Sequence, residues 1–134
     1  MKVATGKSIL NGIAIGTIRC FRRREVRVEA RSKLTPGEEL ARFEQARREA
    51  QAQLKELYDS ALAEVGEDNA AIFDIHAMML DDEDYLDAVR CVIEGQKATA
   101  EHAVQVTGED FAAAFAAMDD TYMQARAADV RDVS

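Results

Sequence analysis

The chain is 134 residues long and 48% apolar, with 6% aromatics, one Pro and no Trp. That length and apolar share suit one domain with its own core, which excludes disorder and a disulfide-dependent miniprotein, and the composition favours helix over a β-sandwich. A net charge of -8 excludes a general nucleic-acid surface, since phosphate binding needs clustered Lys and Arg.

From Val3 to Val28 short apolar runs alternate with glycine: Ser8 to Leu10, Gly12 to Ile18, Cys20 and Phe21, Val26 to Val28. β-branched residues bounded by Gly predict a few short strands, too few to bury themselves, so their sheet partners are expected beyond Ser134. Residues 1–35 hold nine basic side chains against two acidic ones, while the remainder holds 8 basic and 23 acidic. The basic strip from Arg19 to Lys33 lacks interleaved aromatic platforms and reads as solvated strand and loop rather than an RNA site. Met1 to Leu10 lacks the apolar centre of a signal peptide, and no apolar run approaches the roughly 20 residues that span a bilayer, so a cytoplasmic protein away from membranes is expected. Cys20 and Cys91 stand alone, without CxxC spacing, and read as free thiols.

At Thr35 the pattern changes. Thr35 as N-cap, Pro36 in the first turn and Glu38 three residues after the Thr form a capping box and predict a helix start. Leu40, Phe43, Ala46, Ala50, Leu54, Leu57, Ala61 and Val65 then recur by threes and fours, giving one apolar stripe that Gly66 is placed to end in a left-handed cap. Glu67 and Asp68 suit the first turn of a second helix reaching about Leu80, and Asp81 and Asp82 can cap a third that stops near Gly95. Thr99 opens a longer helix through Phe111, Phe115 and Met118, carrying Gly108 inside it. Asp119 and Asp120 cap a last one, with Tyr122, Met123, Val130 and Val133 on its apolar side, which is still running at Ser134 and suggests a longer parent chain. The expected fold is mainly α: an antiparallel helical bundle of two long helices with an inserted short helix pair, plus a small N-terminal β-strand segment.

Little in this pattern suggests catalysis. Gly12 and Gly16 make neither GxGxxG nor a P-loop, and acidic residues on helices are ordinarily solvated. The residues three before His76 and His102 are Phe73 and Thr99, so the Glu-x-x-His pairs of a di-iron bundle are missing. One stretch stands apart: Asp59 to Asp87 contains ten acidic residues and no Lys or Arg. Solvated faces and helix caps explain the acids, but they leave Met78 and Met79 among them unexplained. Either these methionines pack in the core, or they form an exposed, adaptable patch fenced by carboxylates that suits a basic protein with an apolar centre.

From Gly66 to Asp82 (GEDNAAIFDIHAMMLDD) and from Asp119 to Val133 (DDTYMQARAADVRDV) the chain resembles the phosphoenolpyruvate-protein phosphotransferases, Enzyme I of the bacterial sugar phosphotransferase system. Asn11 to Gly16 (NGIAIG) is similar to that family's first strand. The resemblance implies an enzyme that moves phosphate from phosphoenolpyruvate through a histidine to the phosphocarrier HPr, which docks on the helical subdomain. It implies that residues 1–33 join a phosphohistidine domain and that 34–134 form the HPr-binding domain. The family's phosphorylated histidine sits in a downstream Thr-Ser-His segment that is not found here, so no catalytic residue is expected among these 134, and His76 and His102 are not the phosphorylated group. The barrel that binds phosphoenolpyruvate with magnesium, and through which the parent forms a homodimer, also lies outside; no cofactor is expected here. By the same resemblance the carrier's apolar patch meets Met78, Met79, Tyr85, Phe115 and Met123, with His76 beside them. Its basic ring meets Glu67, Asp68, Asp82, Glu83 and Asp84, and Arg126 pairs with an acidic group. Thr121 and Ala125 stand where relatives usually have Glu, and Ile9, Leu10 and Asn11 where they have Ala-Ser-Pro. The rival expectation is a non-enzymatic helical domain that binds another basic protein or itself.

Overall fold

The computed structural model describes residues 15–17, 19 and 27–134. It is a five-helix bundle: α1 (Pro36–Val65), α2 (Glu67–Met79), α3 (Glu83–Gln96), α4 (Ala100–Ala116) and α5 (Thr121–Val133). The strands expected over Val3–Val28 fall almost wholly outside the described residues. Among those described, the one extended pairing is an antiparallel bridge between Arg31 and Ala98, where Ser32 N–H donates to the Lys97 carbonyl at 2.9 Å.

Four of the five helices begin where side-chain chemistry satisfies free N–H groups. Thr35 accepts from Glu38 N–H while the Glu38 carboxylate takes the Thr35 N–H at 2.8 Å, closing the capping box. Asp82, Thr99 and Asp120 cap α3, α4 and α5 in the same manner. α2 is the exception: its N-cap Gly66 offers no side chain, and this residue both ends α1 and begins α2 with φ 86° and ψ 171°. The φ is positive, as expected of that glycine, but ψ is extended rather than left-handed helical, which turns the chain back at once.

The stop of α3 differs from the expectation. Gly95 continues the helix, and Lys97 takes the left-handed position at φ 50°, ψ 43°. A non-glycine residue there is held by the bridge to residues 31 and 32, whose Ser32 N–H uses the Lys97 carbonyl. Lys97→Gly is therefore expected to raise stability by about 0.5–1 kcal/mol, measured by urea denaturation, because it relieves the Cβ strain at that φ.

α1 packs along α2, α4 along α5, and α3 bridges α1 and α4. The main core joins Phe43, Tyr85, Leu86, Val89, Ile93, Ala100 and Ala103, and a smaller one joins Ala112, Ala127 and Val130; Phe111 touches both. The long stripe on α1 is thus only half used. Phe43 is 5% exposed, but Leu57 and Val65 further along are 48% and 56% exposed, since α2 alone covers that end. Arg47 fastens the α2–α3 turn to α1: it donates to the Leu80 carbonyl at 3.3 Å and pairs with Asp81 and Glu44. Cys91 is a free, exposed thiol; Cys20 lies outside the described residues.

Candidate functional site: an open apolar hollow

Four elements meet around a hollow of about 580 Å³. The last turn of α2 contributes Ile75, Met78 and Met79, spaced by three and four so that all reach one face. Asp82, Asp84 and Tyr85 come from the start of α3, Phe111, Phe115 and Met118 from α4 and its end, and Tyr122, Arg126 and Val130 from α5. The volume is that of a small-ligand pocket, but the space is open and mostly apolar, so it suits side chains of a docked protein.

The two methionines divide between the readings left open above. Met78 is 67% exposed, whereas Met79 is partly buried against the smaller core. Tyr85 forms the floor: it is 5% exposed, meets Phe111 edge to face at 5.6 Å, and its hydroxyl lies 3.1 Å from Ser134 Oγ. Burial pushes the Tyr85 phenol above its ordinary value and outweighs the Ser134 bond, so the hydroxyl stays protonated at neutral pH. Asp82 is fixed by its cap bond from Tyr85 N–H at 2.9 Å, and Asp84 sits in the same first turn. Both carboxylates profit from the positive end of the helix, which holds a negative rim beside the apolar floor.

The cation that lines the hollow, Arg126, is held from two sides. Arg126 lies over the Tyr122 ring at 4.6 Å, donates to the Tyr122 hydroxyl, and pairs with Asp129 at 2.9 Å. The bond to Tyr122 and then that to Asp129 raise its pKa further, so the guanidinium is a fixed positive charge. The second Asp129 oxygen is 3.7 Å from His76 Nε2, too far for a good hydrogen bond, and that nitrogen is buried without a partner. His76 thus faces α5 inside the α2–α5 contact, with 12% of its side chain exposed.

Of the residues expected to form the site, Met78, Met79, Asp82, Asp84, Tyr85, Phe115 and Arg126 line the hollow. Glu83 is exposed on the same first turn but does not line it, and Met123 is partly buried on α5 outside the lining. Glu67 and Asp68 are exposed at the far end of α2, about 15 Å along the axis from Met78 at 1.5 Å per residue. They form a separate acidic outpost. Sequence reasoning missed Ile75, Phe111, Met118 and Tyr122 as lining residues. The i, i+4, i+7 run of Phe111, Phe115 and Met118 carried the signal for two of them, and the Tyr122–Arg126 spacing of four carried it for the stack. Among the described residues no three His, Cys, Asp or Glu side chains gather to hold a metal ion, and no helix is long and apolar enough to cross a membrane.

Fold and hollow together define a helical module with an open apolar hollow that Asp82 and Asp84 border. Comparison with known proteins is more specific: residues 5–126 match the PEP-utilising enzyme, N-terminal, family, and the chain belongs to it. The phosphoenolpyruvate-protein phosphotransferase of Bacillus sp. (strain S) is 36% identical over 133 residues, and that of Bacillus subtilis (strain 168) is 34% identical over 123. These alignments span 99% and 92% of this chain but only 23% and 22% of the relatives. An NMR solution structure of Enzyme I (nEIt) superposes with a TM-score of 0.74 at 30% identity, covering 82% of this chain and 45% of the other. The N-terminal domain of Enzyme 1 - Nitrogen gives 0.72 at 31% identity, covering 80% and 44%.

Proposed function

We propose that this chain is the carrier-docking module of a phosphoenolpyruvate-protein phosphotransferase, receiving an HPr-like phosphocarrier in the α2–α5 hollow, in the cytoplasm. The observation that carries this reading is Met78, 67% exposed in a mostly apolar hollow that Asp82, Asp84 and Arg126 also line. A residue so placed adds little to the bundle and much to an interface, where methionine adapts its shape to a partner. Phosphoryl transfer, phosphoenolpyruvate binding, any magnesium and the homodimer contact belong, in this reading, to the rest of a longer protein.

Charge division gives the partner its sign. The stretch from Asp59 to Asp87 is wholly without Lys and Arg, so its field draws a basic surface toward the hollow. Titration of the 15N-labelled chain with an HPr-type phosphocarrier is expected to shift the amides of Ile75–Tyr85 and Tyr122–Val130 more than those of α1. A titration that leaves both segments unmoved rejects the proposal. Association should slow by about tenfold or more between low salt and 0.5 M NaCl in stopped-flow measurements, while dissociation, governed by the apolar floor, changes far less.

A further inference from the structure

We propose that the hollow is an oxidation-sensitive surface, in which a peroxide converts Met78 and Met118 to sulfoxides and thereby turns off docking. The inference rests on the carrier-docking reading above and adds a modification site to it.

Of five methionines in the chain, three (Met78, Met79 and Met118) line this one hollow. Their exposure differs in a way that orders their reactivity. Met78 is 67% exposed and Met118 41%, while Met79 is tucked against the core around Ala112, Ala127 and Val130. A peroxide therefore reaches two thioethers of the receiving surface without the bundle opening. The thioether sulfur attacks one peroxide oxygen; a sulfur–oxygen bond forms as the oxygen–oxygen bond breaks, and the departing hydroxide leaves as water with the proton from the newly bound oxygen. Sulfur is oxidised by two electrons and hydrogen peroxide is reduced by two, so no other reactant is needed. The product places a strong hydrogen-bond acceptor in a lining that Ile75, Phe111 and Phe115 make apolar and that already carries the acceptors Asp82 and Asp84. A carrier with an apolar centre then loses its complement and must strip water from a polar group without pairing it. Methionine sulfoxide reductases reverse the change, one for each epimer, so the loss is recoverable.

The test compares affinity for an HPr-type phosphocarrier by calorimetry, using the 134-residue chain before and after mild hydrogen peroxide, with peptide mass mapping of each methionine. We expect Met78 and Met118 to oxidise before Met79, the far-ultraviolet spectrum to be kept, and affinity to fall by at least about tenfold. Treatment with both sulfoxide reductases should restore binding. Dithiothreitol alone should not, which separates the effect from oxidation of the exposed Cys91. In a Met78→Leu, Met118→Leu double variant, peroxide should change affinity by less than about twofold, whatever its starting value. Unchanged affinity with Met78 and Met118 converted overturns the inference while leaving the docking reading intact; so does a wild-type-sized loss in the double variant. A reduced chain that binds no carrier removes the docking reading and this inference with it.

Discussion

Met78→Asp is expected to lower carrier affinity by at least about 100-fold while costing no more than about 1 kcal/mol of stability, the new carboxylate lying in the last turn of α2. Met78 is 67% exposed, so folding gains little from it and the variant creates no cavity. In the proposed docked complex the same side chain would be covered. Losing its burial removes about 1.5–3 kcal/mol, and covering an unpaired carboxylate in its place adds a further penalty of comparable size or more. Asp82 and Asp84 line the same hollow and repel the new charge. Arg126 cannot readily neutralise it, because Asp129 and Tyr122 already engage its guanidinium. Calorimetric titration beside a thermal melt decides the matter: a variant that melts like the wild type and binds like it rejects the assignment of the hollow.

Glu39→Ala should cost the bundle about 3 kcal/mol, with a fall of about 10 °C or more in the melting temperature. Glu39 is 1% exposed, yet its carboxylate is fully employed. It accepts from Ala100 N–H at 3.0 Å at the start of α4, from Arg42 at 2.6 Å, and from the Ser32 hydroxyl. One side chain thus ties α1, α4 and the segment before the bundle together. Removing it leaves the Ala100 N–H and the Ser32 hydroxyl without an acceptor, whereas Arg42 keeps Glu101. Burial pushes the carboxyl up, but the Ser32 and Ala100 bonds and the Arg42 guanidinium outweigh it and hold it below 4.5. A depressed folded-state value means that the stabilisation is complete above about pH 4.5 and is lost as pH falls through the folded-state value. The gap between wild type and Glu39→Ala should therefore stay constant from neutrality down to about pH 4.5 and narrow below it. Glu44, held low by Arg47 and Arg90 against its own burial, titrates alike in both proteins and cancels. A gap that widens in acid overturns this account.

Local chemistry made most of the fold legible. Thr35, Asp82, Thr99 and Asp120 cap helices as their spacing implied, because a cap needs only the next three residues. Contacts distant in sequence were hidden. The capping box marked Glu38, but nothing in the pattern marked its neighbour Glu39, which is sealed under α4. Lys97 took the stop expected of Gly95 because residues 31 and 32 pair beside it, a partner 65 or so positions away in the chain. The hollow was half legible: a methionine pair among carboxylates announced its α2–α3 side, while the α4–α5 wall needed the fold to bring Phe111, Met118 and Tyr122 across. Glu67 and Asp68 belong to the same acidic stretch, but the length of α2 separates them from the hollow, a distance that one-dimensional charge patterning cannot express.

The walls of the hollow come from the end of α2, the start of α3, and α4 with α5, while α5 itself packs mainly on α4 and only lightly on α2. Anything seated between them acts as a staple across the weaker seam. Opening of α5 then requires the guest to leave first, so amide exchange along Thr121–Val133 should slow in proportion to one plus the ratio of free carrier to Kd, about a hundredfold at a hundred times Kd.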